Sequence, residues 1–266
     1  MSTTLQPPAP AAPMDLADPK PPAGAPPQAP RDAHGLAFTQ LGGPLVVVCG
    51  LHGGAGTSTL AHTLAVAASH ESSAPVLLCE TDSAAGDQAR LTVTQSAWSL
   101  SELAYARHHA TPPSAGPTIA RAGPLRVIAT GPRGPLDDLP DDAVSAFVDA
   151  ARARHGLTVV DVATIRAADA RALLAIATHI IWTAIVRPGV AALADSLLSG
   201  PLAPPTAAHT TLAARGARHG RRRDVRQAAR QLRSTTAAHC DQLIFVADDA
   251  PTGPLAALAR PLHATR

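Results

Sequence analysis

The segment Val46 to Ala65, VVVCGLHGGAGTSTLAHTLA, constrains the fold more than any other part of this 266-residue chain. Its unbroken apolar run reads as a buried strand, its glycines as a loop, and its small-residue end as a helix. Gly53, Gly54 and Gly56 carry no Cβ, so the backbone can turn sharply and aim successive N–H groups at one centre. Ser58 and Thr59 open a helix whose positive end faces the same point. A loop of this kind cradles anions.

The phosphate-loop pattern G-x-x-x-x-G-K-[ST] is met at Gly56 and Ser58, but Leu51 stands at the first glycine and Thr57 at the lysine. The only lysine in the chain is Lys20, and a coding bias toward arginine does not explain a threonine here. By this reading the cradle has lost its cation. HGGAGTSTLA resembles the deviant Walker A loop, K-G-G-x-G-[KAT]-[ST]-[ST], of the MinD/ParA branch of P-loop ATPases, with His52 in place of the signature lysine. Glu80-Thr81-Asp82 followed by Gly86-Asp87 is similar to the acidic D-x-D…G-D segment of the CpaE/TadZ and septum-site-determining group, whose members often lack the second lysine. TVVDVA, residues 158–163, takes the Walker B position, and residues 178–198 look like the next strand and helix.

The resemblance implies ATP or ADP with Mg2+, bound by His52, Gly53, Gly54, Ala55, Gly56, Thr57, Ser58 and Thr59. It places Ser58 and Asp161 on the metal and makes Asp82 and Asp161 the catalytic acids. It also implies a homodimer in which the signature residue reaches the partner's phosphates. An imidazole is shorter than a lysine, so His52 is read as a loop histidine without that role, and any dimer as nucleotide-weak or nucleotide-independent.

Residues 1–40 hold 10 of the 26 prolines and little periodic apolar pattern, which reads as a disordered, Pro/Ala-rich arm. Residues 41–266 suffice for one α/β domain. The chain is 46% apolar but only 2% aromatic, so small residues should make a tight core. After the first helix, PVLLCE (75–80) reads as a second strand, residues 100–108 as a helix, and 125–129 as a third strand. A helix from Asp141 through Arg154, a strand at 157–161, a helix at 167–177, a strand at 180–186 and a helix at 189–198 follow. A strand near 210–213, a helix from Asp224 to Ala238 and a strand at 242–247 complete the pattern. Strand alternating with helix predicts a mostly parallel twisted sheet with helices on both faces.

Glu80 and Asp82 leave the second strand at the carboxyl edge, where ligands of open α/β sheets bind, and Asp161 ends a strand where it can hold a metal-bound water. A dinucleotide-binding reading fails because the third glycine of G-x-G-x-x-G is Thr59. The histidines show no metal spacing; His108 and His109 adjoin and should point apart on a helix. Cys49, Cys79 and Cys240 are isolated and read as reduced, small apolar residues.

A net charge of +2 gives no overall attraction to a polyanion, yet eight arginines lie between Arg215 and Arg233. Arg222, Arg226, Arg230 and Arg233 recur at four, four and three residues and form a stripe suited to polyanion binding, DNA ahead of lipid. No apolar run reaches the roughly 18 residues of a membrane span. These features suggest a cytoplasmic nucleotide-binding protein or pseudo-ATPase, placed at the inner face of the membrane through protein partners. It would position a polar or membrane-associated machine of pilus, secretion or septum type. The alternatives are a ParA-like partitioning protein on non-specific DNA and a P-loop small-molecule transferase. The transferase is disfavoured because no residue of the loop supplies charge to a transferring phosphoryl group.

Overall fold

The computed structural model describes residues 42–81, 87–94, 96–110, 119–129, 139–162, 167–200, 203, 205, 207–216 and 222–246. The proline-rich segment 1–40 and Asp82 lie outside them. In chain order the elements are β1 (Leu45–Gly50), α1 (Thr57–Glu71), β2 (Val76–Glu80), α2 (Asp87–Thr92), α3 (Leu100–His108), β3 (Ala120–Ala122), β4 (Leu125–Ile128), α4 (Ala143–Arg152) and β5 (Leu157–Val162). Then come α5 (Ala167–Ile176), β6 (His179–Val186), α6 (Val190–Leu198), β7 (His209–Gly216), α7 (Arg222–Thr236) and β8 (Gln242–Val246). The eight strands form one sheet in the order β3-β4-β2-β5-β1-β6-β7-β8. Every neighbouring pair is parallel except β3 with β4.

Pleating sends successive residues of a strand to opposite faces, and β1 shows it. Val46 and Val48 pack with Leu60, Ala61, Leu64, Ala65 and Ala68 of α1. Leu45, Val47 and Cys49 join a larger core with Leu103 of α3, Val148 of α4, Leu173 of α5, Ala194 of α6 and Leu232 of α7. Both faces are thus covered, very unequally. Alanines on the inward side of α1 hold this helix close to the sheet beside the loop that precedes it.

Several boundaries differ from the sequence expectations for physical reasons. The short β3 was not anticipated; a two-residue turn with Gly123 at φ 63 folds it back onto β4 as an antiparallel edge. The six-residue α2 lies in a stretch too short to show helical periodicity. β7 runs on to Gly216, three residues past Ala213, because its whole length pairs with β6. α7 starts at Arg222, so that residue belongs to the helix. His109 caps α3 instead of continuing it, and its ring meets that of His108 edge-on at 4.9 Å, so the two do not point apart. The cysteines are free thiols. Burial pushes Cys79 up to about 12 and Cys49 higher still, as inert core residues require.

Candidate functional site

β1 lies between β5 and β6, and its carboxyl end releases the glycine loop at the middle of the sheet. Gly54 and Gly56 adopt positive φ, 72° and 89°, which side-chain-bearing residues rarely take. Gly56 is the N-cap of α1, no side chain caps the helix, and its first turn has no acid. A helix start without a cap leaves its first N–H groups and the positive end of its dipole turned outward. A Cβ at Gly53 or Gly54 would meet nothing within 4 Å, so the space above the loop is open.

Thr57, at the position of the missing lysine, is buried and turned inward. Its hydroxyl lies 2.8 Å from the Thr183 hydroxyl, which donates in turn to the Cys49 carbonyl at 3.3 Å, so Thr57 is the donor to Thr183. A Cβ on Gly50 would lie 2.6 Å from the Thr57 Oγ1, which explains the glycine at the end of β1. His52 is also committed within the chain. Its Nε2 accepts from the Ile185 N–H at 3.2 Å, and its Nδ1 lies 3.0 Å from the Gly53 carbonyl, which assigns the neutral, Nδ1-protonated tautomer. Beside it the Leu51 N–H donates to Thr183 O at 2.9 Å, so the imidazole extends the β1–β6 ladder by one bond.

On the other side of β1, Glu80 ends β2 beside its register neighbour Asp161, the last residue but one of β5, and both are buried. Gln88 of α2, also fully buried, organises them. Its N–H donates to Glu80 Oε1 at 3.1 Å, and its Nε2 donates both to Asp161 Oδ2 at 2.7 Å and to the Ser58 carbonyl at 2.8 Å. Asp161 Oδ1 and Glu80 Oε2 have no partner among the described residues. Burial pushes the Glu80 carboxyl up to about 7, and the nearby Asp161 charge adds to this while the Gln88 N–H opposes it. Burial likewise pushes Asp161 up to about 6, against the Gln88 amide and the Ser58 hydroxyl.

A cavity of about 340 Å³ opens over the loop, lined by residues 52–59, Asp87, Arg90, Leu91 and Arg215. Arg90 pairs with Asp87 at 2.6 Å. Arg215, at the end of β7, donates through Nη2 to the Gly54 carbonyl at 3.2 Å. The loop itself holds no lysine or arginine, and Arg215 brings a guanidinium to it from β7. Gln88, Arg90 and Arg215 escaped the sequence reading; the strand before Arg215 was expected to end at Ala213, which would have left the arginine in a loop. Asp82 lies outside the described residues, and among those residues no three His, Cys, Asp or Glu side chains cluster as metal ligands.

Arg222, Arg226, Arg230 and Arg233 of the stripe lie on α7. Arg226, Arg230 and Arg233 are exposed, while Ala228 and Leu232 face the core. Arg233 lies over the Phe245 ring of β8, 5.0 Å from its centre, so it leans away from a simple stripe. Among the described residues no helix is long and apolar enough to cross a membrane.

No protein-family model matches the chain, and no curated protein matches it. Solved structures do. MinD in the MinC:MinD cell division complex of Aquifex aeolicus is 10% identical, with a TM-score of 0.60 over 84% of this chain and 97% of that one. A ParA family ATPase from Chlorobium tepidum is 15% identical, with a TM-score of 0.57 over 85% of this chain and 94% of that one. The pNOB8 ParA bound to nonspecific DNA is 12% identical, with a TM-score of 0.51 over 84% and 95%. A likeness at such identities is one of fold, and the fold of this chain is that of the ParA and MinD proteins.

Proposed function

We propose that this protein is a ParA/MinD-like positioning or scaffold factor that binds ATP or ADP with Mg2+ and hydrolyses it slowly or not at all. The observation that carries the reading is the uncapped start of α1 behind Gly54 and Gly56, open to the cavity and set at the carboxyl edge of a sheet of this fold. Residues 52–59 supply the phosphate cradle. The Asp161 Oδ1, which has no partner among the described residues, and the neighbouring Ser58 hydroxyl are oxygen donors of the kind Mg2+ takes. When bound, the ion would screen phosphate charge at the end of β5. Asp161 would also hold a metal-bound water, a role Asp82 shares in our reading.

Slow turnover follows from Thr57. Phosphoryl transfer depends on charge placed where charge develops; the loop itself places none at position 57, where the Thr57 hydroxyl is spent on Thr183, and Arg215 approaches from β7 at the Gly54 carbonyl instead. The CpaE/TadZ-like acidic segment and the neutral His52 fit a scaffold whose self-association does not depend on nucleotide. The segment 1–40 is read as a tether or unstructured arm. A titration of purified protein with fluorescent ATP, with and without Mg2+, together with phosphate release, tests the reading. Magnesium-assisted binding with release near background is expected. Robust magnesium-dependent turnover would remove the pseudo-ATPase reading, and no binding at millimolar nucleotide would remove the nucleotide itself.

A second reading, DNA association, is favoured by α7. Arg223, Arg226 and Arg230 are exposed with Asp224 as the acid of the first turn, and pNOB8 ParA was solved on nonspecific DNA. Such binding would be to the phosphate backbone and strongly salt-dependent. A duplex-DNA shift at low salt should be lost when Arg222, Arg226 and Arg230 become Glu; a shift that survives the change places the contact elsewhere.

A further inference from the structure

We infer that Arg215 is the phosphate-binding cation of this site, delivered to the glycine loop from β7 in place of the lysine absent at position 57. This rests on the nucleotide reading above and adds to it the residue that supplies positive charge. Four observations converge. The loop from His52 to Thr59 has no lysine or arginine, and Thr57 is turned inward onto Thr183. β7 runs parallel to β6 with Arg215 opposite Ile185, the residue whose N–H is held by His52. Arg215 and His52 therefore occupy one row of the sheet beside the loop.

Next, Nη2 of Arg215 reaches the Gly54 carbonyl at 3.2 Å, and its Nη1 is 3.3 Å from where a Cβ on Gly56 would stand. The guanidinium lies against the glycine that caps α1, a close approach that a side chain at position 56 would obstruct. Finally, Arg215 lines the same cavity as the loop residues 52–59. Guanidinium, helix start and loop N–H groups thus converge on one opening, and a planar guanidinium recognises phosphate oxygens in pairs. The ligand class is the phosphate chain of a nucleoside di- or triphosphate. The cation comes from the same chain as the loop, so one copy of the protein holds a complete cradle and binding needs no partner.

Fluorescent-ATP titrations of the full chain and of Arg215→Ala, Arg215→Gln and Arg215→Lys across a salt series test the assignment, with thermal melts to verify folding. Loss of a charge-assisted contact predicts about ten- to a hundredfold weaker binding for the Ala and Gln variants. The Lys variant should fall between them and the wild type, and salt should weaken the wild type more steeply than Ala or Gln. Glutamine keeps a donor for the Gly54 carbonyl without the charge. Wild-type affinity in Arg215→Gln would therefore make the residue a neutral clamp and overturn the assignment, as would unchanged binding in Arg215→Ala. If the wild type itself binds no nucleotide, the nucleotide reading fails and the assignment falls with it.

Discussion

Replacing Trp182 by alanine is expected to cost about 3–5 kcal/mol of folding free energy, the range for removing a large aromatic side chain from a packed core. Trp182 lies in β6 with no exposed surface, between Cys49 of β1 and Leu212 of β7 in register. The neighbouring elements are strands fixed by ladder bonds on both sides, so the hole cannot close by a local shift. A domain of ordinary stability has only about 5–15 kcal/mol in total, and the variant should unfold at much lower denaturant with an unchanged slope. Trp182→Phe makes the control. The indole N–H is buried without a partner among the described residues, so phenylalanine removes an unsatisfied donor as well as volume and should cost far less than alanine. Equal losses for the two variants would show that the site is not packed as described.

In metal-free buffer, Glu80 and Asp161 are expected to cost the protein stability as pH rises from about 4 to about 7, while buried histidines act in the opposite sense below about 6.5. Glu80 and Asp161 titrate at about 7 and about 6 in the folded chain, above their ordinary values. The folded state therefore holds its protons longer than the unfolded chain does. The contribution of these carboxyls is fully present below the unfolded values, near pH 4, and is lost as pH rises through about 6 and 7. Histidines oppose this over much of the same range. Burial lowers His62 and His155, and it lowers His179 to about 4 with the help of the neighbouring His209 charge. Their neutral folded forms cost stability as pH drops below the ordinary histidine value of about 6.5. Asp161→Asn isolates the first effect, because an amide keeps an acceptor for Gln88 but does not ionise. Relative to the wild type it should gain about 2 kcal/mol between about pH 4.5 and pH 8, read from denaturant midpoints. The same difference at both pH values would mean that Asp161 is not held protonated by its surroundings.

The alternation of apolar runs with helical segments was enough to place nearly every parallel strand, because strands buried on both faces are written as apolar stretches such as LVVVC and VLLC. The glycine loop was legible for a similar reason: positive φ at Gly54 and Gly56 demands the residue that the sequence displays. The rest of the site was hidden because it is assembled across the sheet. Gln88 is one polar residue in a helix of six, and nothing in its neighbours announces that its amide will join Ser58 to Asp161. Arg215 is one of eight arginines in its stretch, and only the pairing of β7 with β6 distinguishes it. His52 looked like a stand-in for a lysine; its bond to Ile185, 133 residues away, gives it a different task.

The placement of β1 also orders the making of the molecule. This strand has no partner among the elements that directly follow it: its neighbours are β5 and β6, and Leu45 is joined to Thr178 across 133 residues. As the chain leaves the ribosome, LVVVCG emerges early and must wait, apolar and unpaired, until more than a hundred further residues have been synthesised. Long-range parallel pairing of this kind is slow because loop closure precedes the contacts that repay it. The glycine cradle, hung on that strand, is therefore among the last features to take shape, and nascent chains too short to include β6 have no cradle to offer.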